Sequence, residues 1–155
     1  MKNFTAFLLG GLFIMIANLI FAQCKDRKPF YELETECAKK HSDPSYLLDG
    51  QQYRAVIKGK ENAEFYLTFY GGNLYRVAAC SDVGGSVVYT VKDDPQGNVL
   101  YTNSSQQYAP FWDLEFSSTV NCKIEASFAP DVFKASADST SVEGCTVLII
   151  GYKQK

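Results

Sequence analysis

Val120-Asn121-Cys122-Lys123-Ile124-Glu125-Ala126-Ser127-Phe128 decides the fold class of this chain. Val120, Cys122, Ile124, Ala126 and Phe128 take one side of an extended segment, and Asn121, Lys123, Glu125 and Ser127 take the other. Strict alternation of this kind defines a β-strand with one buried and one wet face. On its C-terminal side, residues 129–143 read as a long polar loop and the likeliest disordered piece of the chain. Cys145 to Tyr152 then carries apolar residues on both faces, as a central strand does.

Upstream of Val120 the same period recurs in short runs broken by turn residues. Phe111 to Phe116 puts Trp112, Leu114 and Phe116 on one face, and core is the natural home of Trp112. Before it come Val99 to Thr102, Ser86 to Lys92, Leu74 to Cys80, Ala63 to Tyr70 and Tyr53 to Lys58. Gly71-Gly72-Asn73 and Asp93-Asp94-Pro95-Gln96-Gly97-Asn98 supply reversals, since Gly and Asn accept positive φ and Pro presets it. Eight strands result. The 10 tyrosines and 11 phenylalanines suit the same pleated, half-buried surface. The fold expected is all-β, an antiparallel β-sandwich.

Residues 26–40 break the pattern. Phe30, Leu33 and Cys37 recur at helical spacing, with acids early, Lys39 and Lys40 late, and Pro29 suited to a first turn. Further upstream, residues 3–23 carry no charge, follow Lys2 and end in Ile20-Phe21-Ala22-Gln23. That order is a secretory signal with Ala22 as its cleavage residue. An uncleaved anchor helix is the competing reading, because the run is long enough to cross a bilayer. Gly10-Gly11 and Asn18 weaken it, and Gln23 before Cys24 argues against lipidation. The expected organisation is a signal peptide (1–22), a helical segment (23–46) and one sandwich domain (47–155). The chain is expected in the periplasm or outside the cell, touching membrane only through an uncleaved signal.

The net charge of −2, with no basic cluster beyond Lys39-Lys40, argues against a nucleic-acid partner. Nothing in the sequence implies a cofactor. No phosphate-binding glycine loop, nucleophile elbow or H-E-x-x-H motif is present. His41 is the single histidine and is read as a helix-end residue in a polar exit.

The stretch Phe65-Tyr66-Leu67-Thr68-Phe69-Tyr70-Gly71-Gly72-Asn73-Leu74-Tyr75-Arg76-Val77 carries a family likeness. With Val87 to Asp93, Gly97-Asn98-Val99-Leu100 and the closing Cys145 to Tyr152, it resembles the core of bacterial pre-peptidase C-terminal domains. It is also similar to small exported bacterial proteins with a "YR" strand and a final "GC…GY" strand. The resemblance implies a jelly-roll-like sandwich acting as an accessory module, in some members binding calcium or polymeric substrates.

Three groups of side chains are candidates for function. Tyr66, Thr68 and Tyr70 lie opposite the Phe65, Leu67 and Phe69 face, so on a wet sheet they form an aromatic strip for a glycan or protein. Tyr75, Tyr101, Tyr108 and Trp112 add further rings. Asp113 and Glu115 share a strand face and could act as acid and base in glycoside hydrolysis, although a solvated face explains them as well. Asp93, Asp94 and Asn98 make a weak calcium candidate, in a turn that needs Asp, Pro and Gly in any case.

All five cysteines follow the signal. The expected pairs are Cys80–Cys145 across the sandwich and Cys24–Cys37 at the N-terminus, with Cys122 left as a buried spare. The functional expectation is a non-enzymatic binding protein for a glycan, peptide or envelope protein. The alternatives are a small hydrolase using Asp113 and Glu115, and an envelope component without a ligand.

Overall fold

The structure is a computed structural model that describes residues 28–134 and 138–155. The expected signal segment and Cys24 lie outside the described residues. Nine strands are present among the described residues: β1 (Leu47–Leu48), β2 (Tyr53–Lys58), β3 (Ala63–Phe69), β4 (Asn73–Ser81), β5 (Val87–Asp93), β6 (Val99–Thr102), β7 (Phe111–Glu115), β8 (Val120–Phe128) and β9 (Glu143–Gln154). Among the described residues one α-helix, α1 (Phe30–His41), precedes them, with Pro29 at its N-cap position.

The strands form a ribbon rolled on itself. β2 pairs with β9, β3 with β8, β4 with β7 and β5 with β6, all antiparallel. Rolling brings β4 beside β9 and β5 beside β8. One sheet therefore runs β2-β9-β4-β7, with β1 also on the outer side of β9, and the other runs β3-β8-β5-β6. This is the strand order of a jelly roll. The β-sandwich expected from the alternation is the fold observed.

The buried positions follow the period-2 pattern. Cys122, Ile124, Ala126 and Phe128 of β8 face Tyr75, Val77 and Ala79 of β4 and Leu148 and Ile150 of β9 across the core. Phe69, Tyr89, Ile124 and Leu148 are fully buried, and each such side chain contributes about 1.5–3 kcal/mol by leaving water. β9 is central and apolar on both faces because its second face lies under α1. There Leu33 and Cys37 of the helix pack on Ala78, Cys145 and Val147.

That packing corrects the cysteine pairing. Cys80 lies opposite Val147 on the neighbouring strand of the same sheet, so Cys80 and Cys145 share the face under the helix and do not span the sandwich. Cys37 reaches down from α1 and bonds Cys80, with Cα atoms 5.9 Å apart. Neither Cys80–Cys145 nor Cys24–Cys37 forms. Cys145 is also disulfide-bonded. Cys122 is the buried free thiol, as expected.

Two further differences have local causes. Trp112 is 38% exposed. It points inward, but β7 is the edge of its sheet, so the indole lies at the lip of the sandwich and stacks on Tyr101 at 5.6 Å. The start of the segment after β8 is more structured than its polarity suggests, while residues 135–137 of the expected loop lie outside the described residues. Pro130–Phe133 makes a 3-10 turn that buries Val132, and Asp131 accepts hydrogen bonds from the Ser86 backbone N–H and hydroxyl.

Candidate functional site

The edge of the first sheet is broken. β1 pairs Leu47 with Tyr152 and Leu48 with Gly151, whereas β2 resumes only at Tyr53 opposite Leu148. Residues 49–52 thus stand where the ladder has room for two, and the excess bulges out. Asp49 holds the bulge at its root. Its backbone N–H donates to the Ile150 carbonyl, and its carboxylate accepts from the Gln51 N–H at 3.0 Å and the Tyr53 hydroxyl at 2.8 Å. Burial and this carboxylate keep the Tyr53 phenol protonated well beyond its ordinary range, so it remains a donor.

Beside the bulge, between the edges of the two sheets, opens a cleft of about 330 Å³. Tyr53, Tyr70, Tyr75 and Tyr152 line it together with Leu67, Ile150 and Thr68. Gln51, Asn73 and Gln154 bring amide groups to its rim, and Asp49 is the single charged residue in the lining. The walls are fixed from behind. Phe69 packs edge-on to Tyr75 at 4.7 Å and stacks on Phe116 at 4.6 Å, and Tyr53 meets Phe65 edge-on at 6.0 Å. The Tyr75 hydroxyl accepts from the Tyr70 N–H at 2.8 Å, which pins the residue at the cleft mouth. Rings held by packing and hydrogen bonds make a preformed surface that loses little freedom when a ligand docks.

Of the residues expected in an aromatic strip, Thr68 and Tyr70 line this cleft and Tyr66 does not. Tyr66 is 59% and Tyr70 62% exposed. Tyr66 lies on the outer face of β3, its hydroxyl donating to Glu64. Thr68 donates to the Asn121 side chain. The surrounding face is charged: Lys123 joins Glu64 and Glu125, and Lys92 joins Glu125 at 2.7 Å. Tyr53, Tyr152, Asp49 and Gln51 were not singled out in the sequence. The available signal was the Gly50 turn immediately before a strand that begins with tyrosine.

The other candidates are dispersed. Asp113 and Glu115 do share a face, but Arg76 binds Asp113 bidentately at 2.7 and 2.8 Å, and Lys155 pairs with Glu115. The guanidinium holds the Asp113 carboxyl below its ordinary range, the reverse of what a general acid requires. The Arg76 guanidinium is itself clasped between the Tyr46 and Phe111 rings. Asp93 to Asn98 closes the β5–β6 hairpin through backbone bonds, Asp93 N–H to the Asn98 carbonyl and Gly97 N–H to the Asp93 carbonyl. Among the described residues no three His, Cys, Asp or Glu side chains gather as a metal site would need. His41 ends α1 as expected, yet it is buried against Phe111, and burial followed by the charge of Lys40 lowers its pKa. Among the described residues no helix is long and apolar enough to cross a membrane.

The fold and the cleft define a jelly-roll sandwich with a preformed, tyrosine-lined recess. No protein-family model matches the chain, and no curated protein does. Among solved structures it is similar to Aeromonas hydrophila PliG, a periplasmic lysozyme inhibitor of g-type lysozyme. The two share 13% identity over 66% of this chain and 85% of that one, with a TM-score of 0.47. A likeness that slight carries no argument about function.

Proposed function

We propose that this is an exported, non-enzymatic binding protein that takes a neutral glycan in the cleft lined by Tyr53, Tyr70, Tyr75 and Tyr152. The observation that carries the reading is the chemistry of that lining. The exposed Tyr70 ring and the half-buried Tyr152 ring offer flat apolar faces for the C–H side of a sugar, above a floor closed by buried Tyr53 and Tyr75, and the amide groups of the rim offer donors and acceptors for its hydroxyls. No lysine or arginine is present to hold an anion, and Asp49 would repel one. Asp113 and Glu115 of β7 are each paired with a cation, an arrangement that does not suit the acid and base of glycoside hydrolysis. Export is supported by the Cys37–Cys80 bond, since disulfides persist in oxidising compartments, and by the signal-like order of residues 1–22. The resemblance to pre-peptidase C-terminal domains points to the same kind of role, an accessory binding module in the periplasm or outside the cell.

Calorimetric titration with triacetylchitotriose and with cellotriose tests the reading. At least one probe is expected to bind, and Tyr70→Ala to weaken it by about tenfold, the equivalent of losing one well-placed ring. Absence of heat with both probes, or binding that Tyr70→Ala leaves unchanged, would overturn it.

A further inference from the structure

We infer, resting on the glycan reading above, that the tyrosine cleft is one half of a longer groove whose ligand is a linear oligosaccharide crossing the bulge at residues 49–52. At the break between β1 and β2, β9 is flanked by a cleft on each of its faces at one level. Ile150 points to the interior of the sandwich and floors the tyrosine cleft, while Ile149 points to the helix side. A second cleft of about 400 Å³ opens there, between α1 and the bulge. The two clefts share Asp49, Gln51 and Ile150 in their linings, so they abut along the bulge.

The second cleft continues the chemistry of the first. Leu48, Ala38 and Ile149 give it apolar surface, and Thr35, Gln51 and Gln52 give it neutral polar groups. Its one further charge, Glu34, is taken up by Arg54, which grips both carboxylate oxygens at 2.6 Å. Neither cleft therefore presents an unpaired cation to an anionic chain. The crest between them is open as well. Gly50 turns with φ +76°, and a Cβ built there would meet nothing within 4 Å. A ligand with repeating hydroxyl-bearing units fits two abutting neutral recesses better than a compact one does, because each added unit finds new surface.

Length dependence tests this, with chitotriose and chitohexaose (fully N-acetylated) titrated against the disulfide-bonded chain. The hexasaccharide is expected to bind at least roughly tenfold more tightly than the trisaccharide, as the second subsite engages without a second association cost. Thr35→Trp, a helix-surface change that fills the second cleft, should return the hexasaccharide to trisaccharide affinity and leave the trisaccharide unchanged. Leu48→Ala, at a position 53% exposed, should give part of the same loss. Equal affinities for the two lengths, or a length gain untouched by Thr35→Trp, would overturn the two-cleft groove while Tyr70→Ala sensitivity still upheld the first cleft. Absence of binding by either chito-oligosaccharide would overturn the groove, and only if cellotriose also failed to bind would the glycan reading fall with it.

Discussion

Arg76 is fixed from several directions at once. Its fork meets the Asp113 carboxylate, and its plane lies 4.8 Å from the Tyr46 ring centre and 4.6 Å from that of Phe111. Lysine can reproduce neither the fork nor the stacking. Arg76→Lys is therefore expected to cost about 1–3 kcal/mol in urea unfolding, more than an ordinary surface charge would. Cys122 tests burial from another side. Desolvation raises its thiol to about 11, so it should resist alkylation at pH 8 in the folded protein and react on unfolding. These residue-level facts were unevenly legible. The inward placement of Cys122 follows from the alternation of its strand. The arginine clasp does not, because it depends on which strand lies beside β4. Trp112 was misjudged for the same reason: a period gives the face of a residue but not whether its strand is an edge.

At the scale of elements, α1 and the β1–β2 break carry most of what the sequence left hidden. The helix was visible in its own spacing, with Leu33 and Cys37 on its buried side. Which sheet it covers was not, and the disulfide pairing failed with it. Cys37–Cys80 closes a loop 43 residues in separation, and Cys37→Ala with Cys80→Ala is expected to cost about 2–5 kcal/mol. That loss should appear in unfolding curves of the double variant without loss of the β-sheet signal. The turn at Gly71 is equally constrained, since a Cβ there would lie 2.7 Å from the Ser118 backbone. Gly71→Ala should lower the thermal midpoint measurably, whereas the open Gly84 should tolerate alanine. Of the cleft, Thr68 and Tyr70 could be found because they alternate against a clear apolar face. Tyr75 was visible only as one ring among several, and Tyr53 and Tyr152 not at all, because only the rolled ribbon brings the starts of β2 and β4 to the end of β9.

For the molecule as a whole, charge ties the outer surface together and sets its response to acid. Asp113 beside Arg76, Glu125 beside Lys92 and Lys123, and Glu64 beside Lys123 are all held below their ordinary values of 3.8 for Asp and 4.5 for Glu. A carboxyl with a depressed folded pKa stabilises above its unfolded value and loses that contribution as pH falls through the folded one. Buried His41, also depressed, adds a penalty that begins as pH drops below 6.5, where the unfolded chain takes up a proton more readily. Stability should accordingly be flat between about pH 7 and 8, decline gently below 6.5, fall steeply below 4.5, and decline again above about 9, where the unfolded chain ionises the Cys122 thiol and the buried tyrosines first. Replacing the buried ring by His41→Phe should remove the gentle part, as followed by denaturant midpoints across pH.

The central claim concerns the cleft, and amide chemical-shift mapping with chitohexaose tests it most directly. Shifts are expected to concentrate at Asp49 to Tyr53, Tyr70, Tyr75, Ile149 to Tyr152 and the Thr35–Ala38 turn of α1. Shifts confined to the Tyr101–Trp112 lip or the charged outer face of β3 and β8, or no shifts at all, would contradict it.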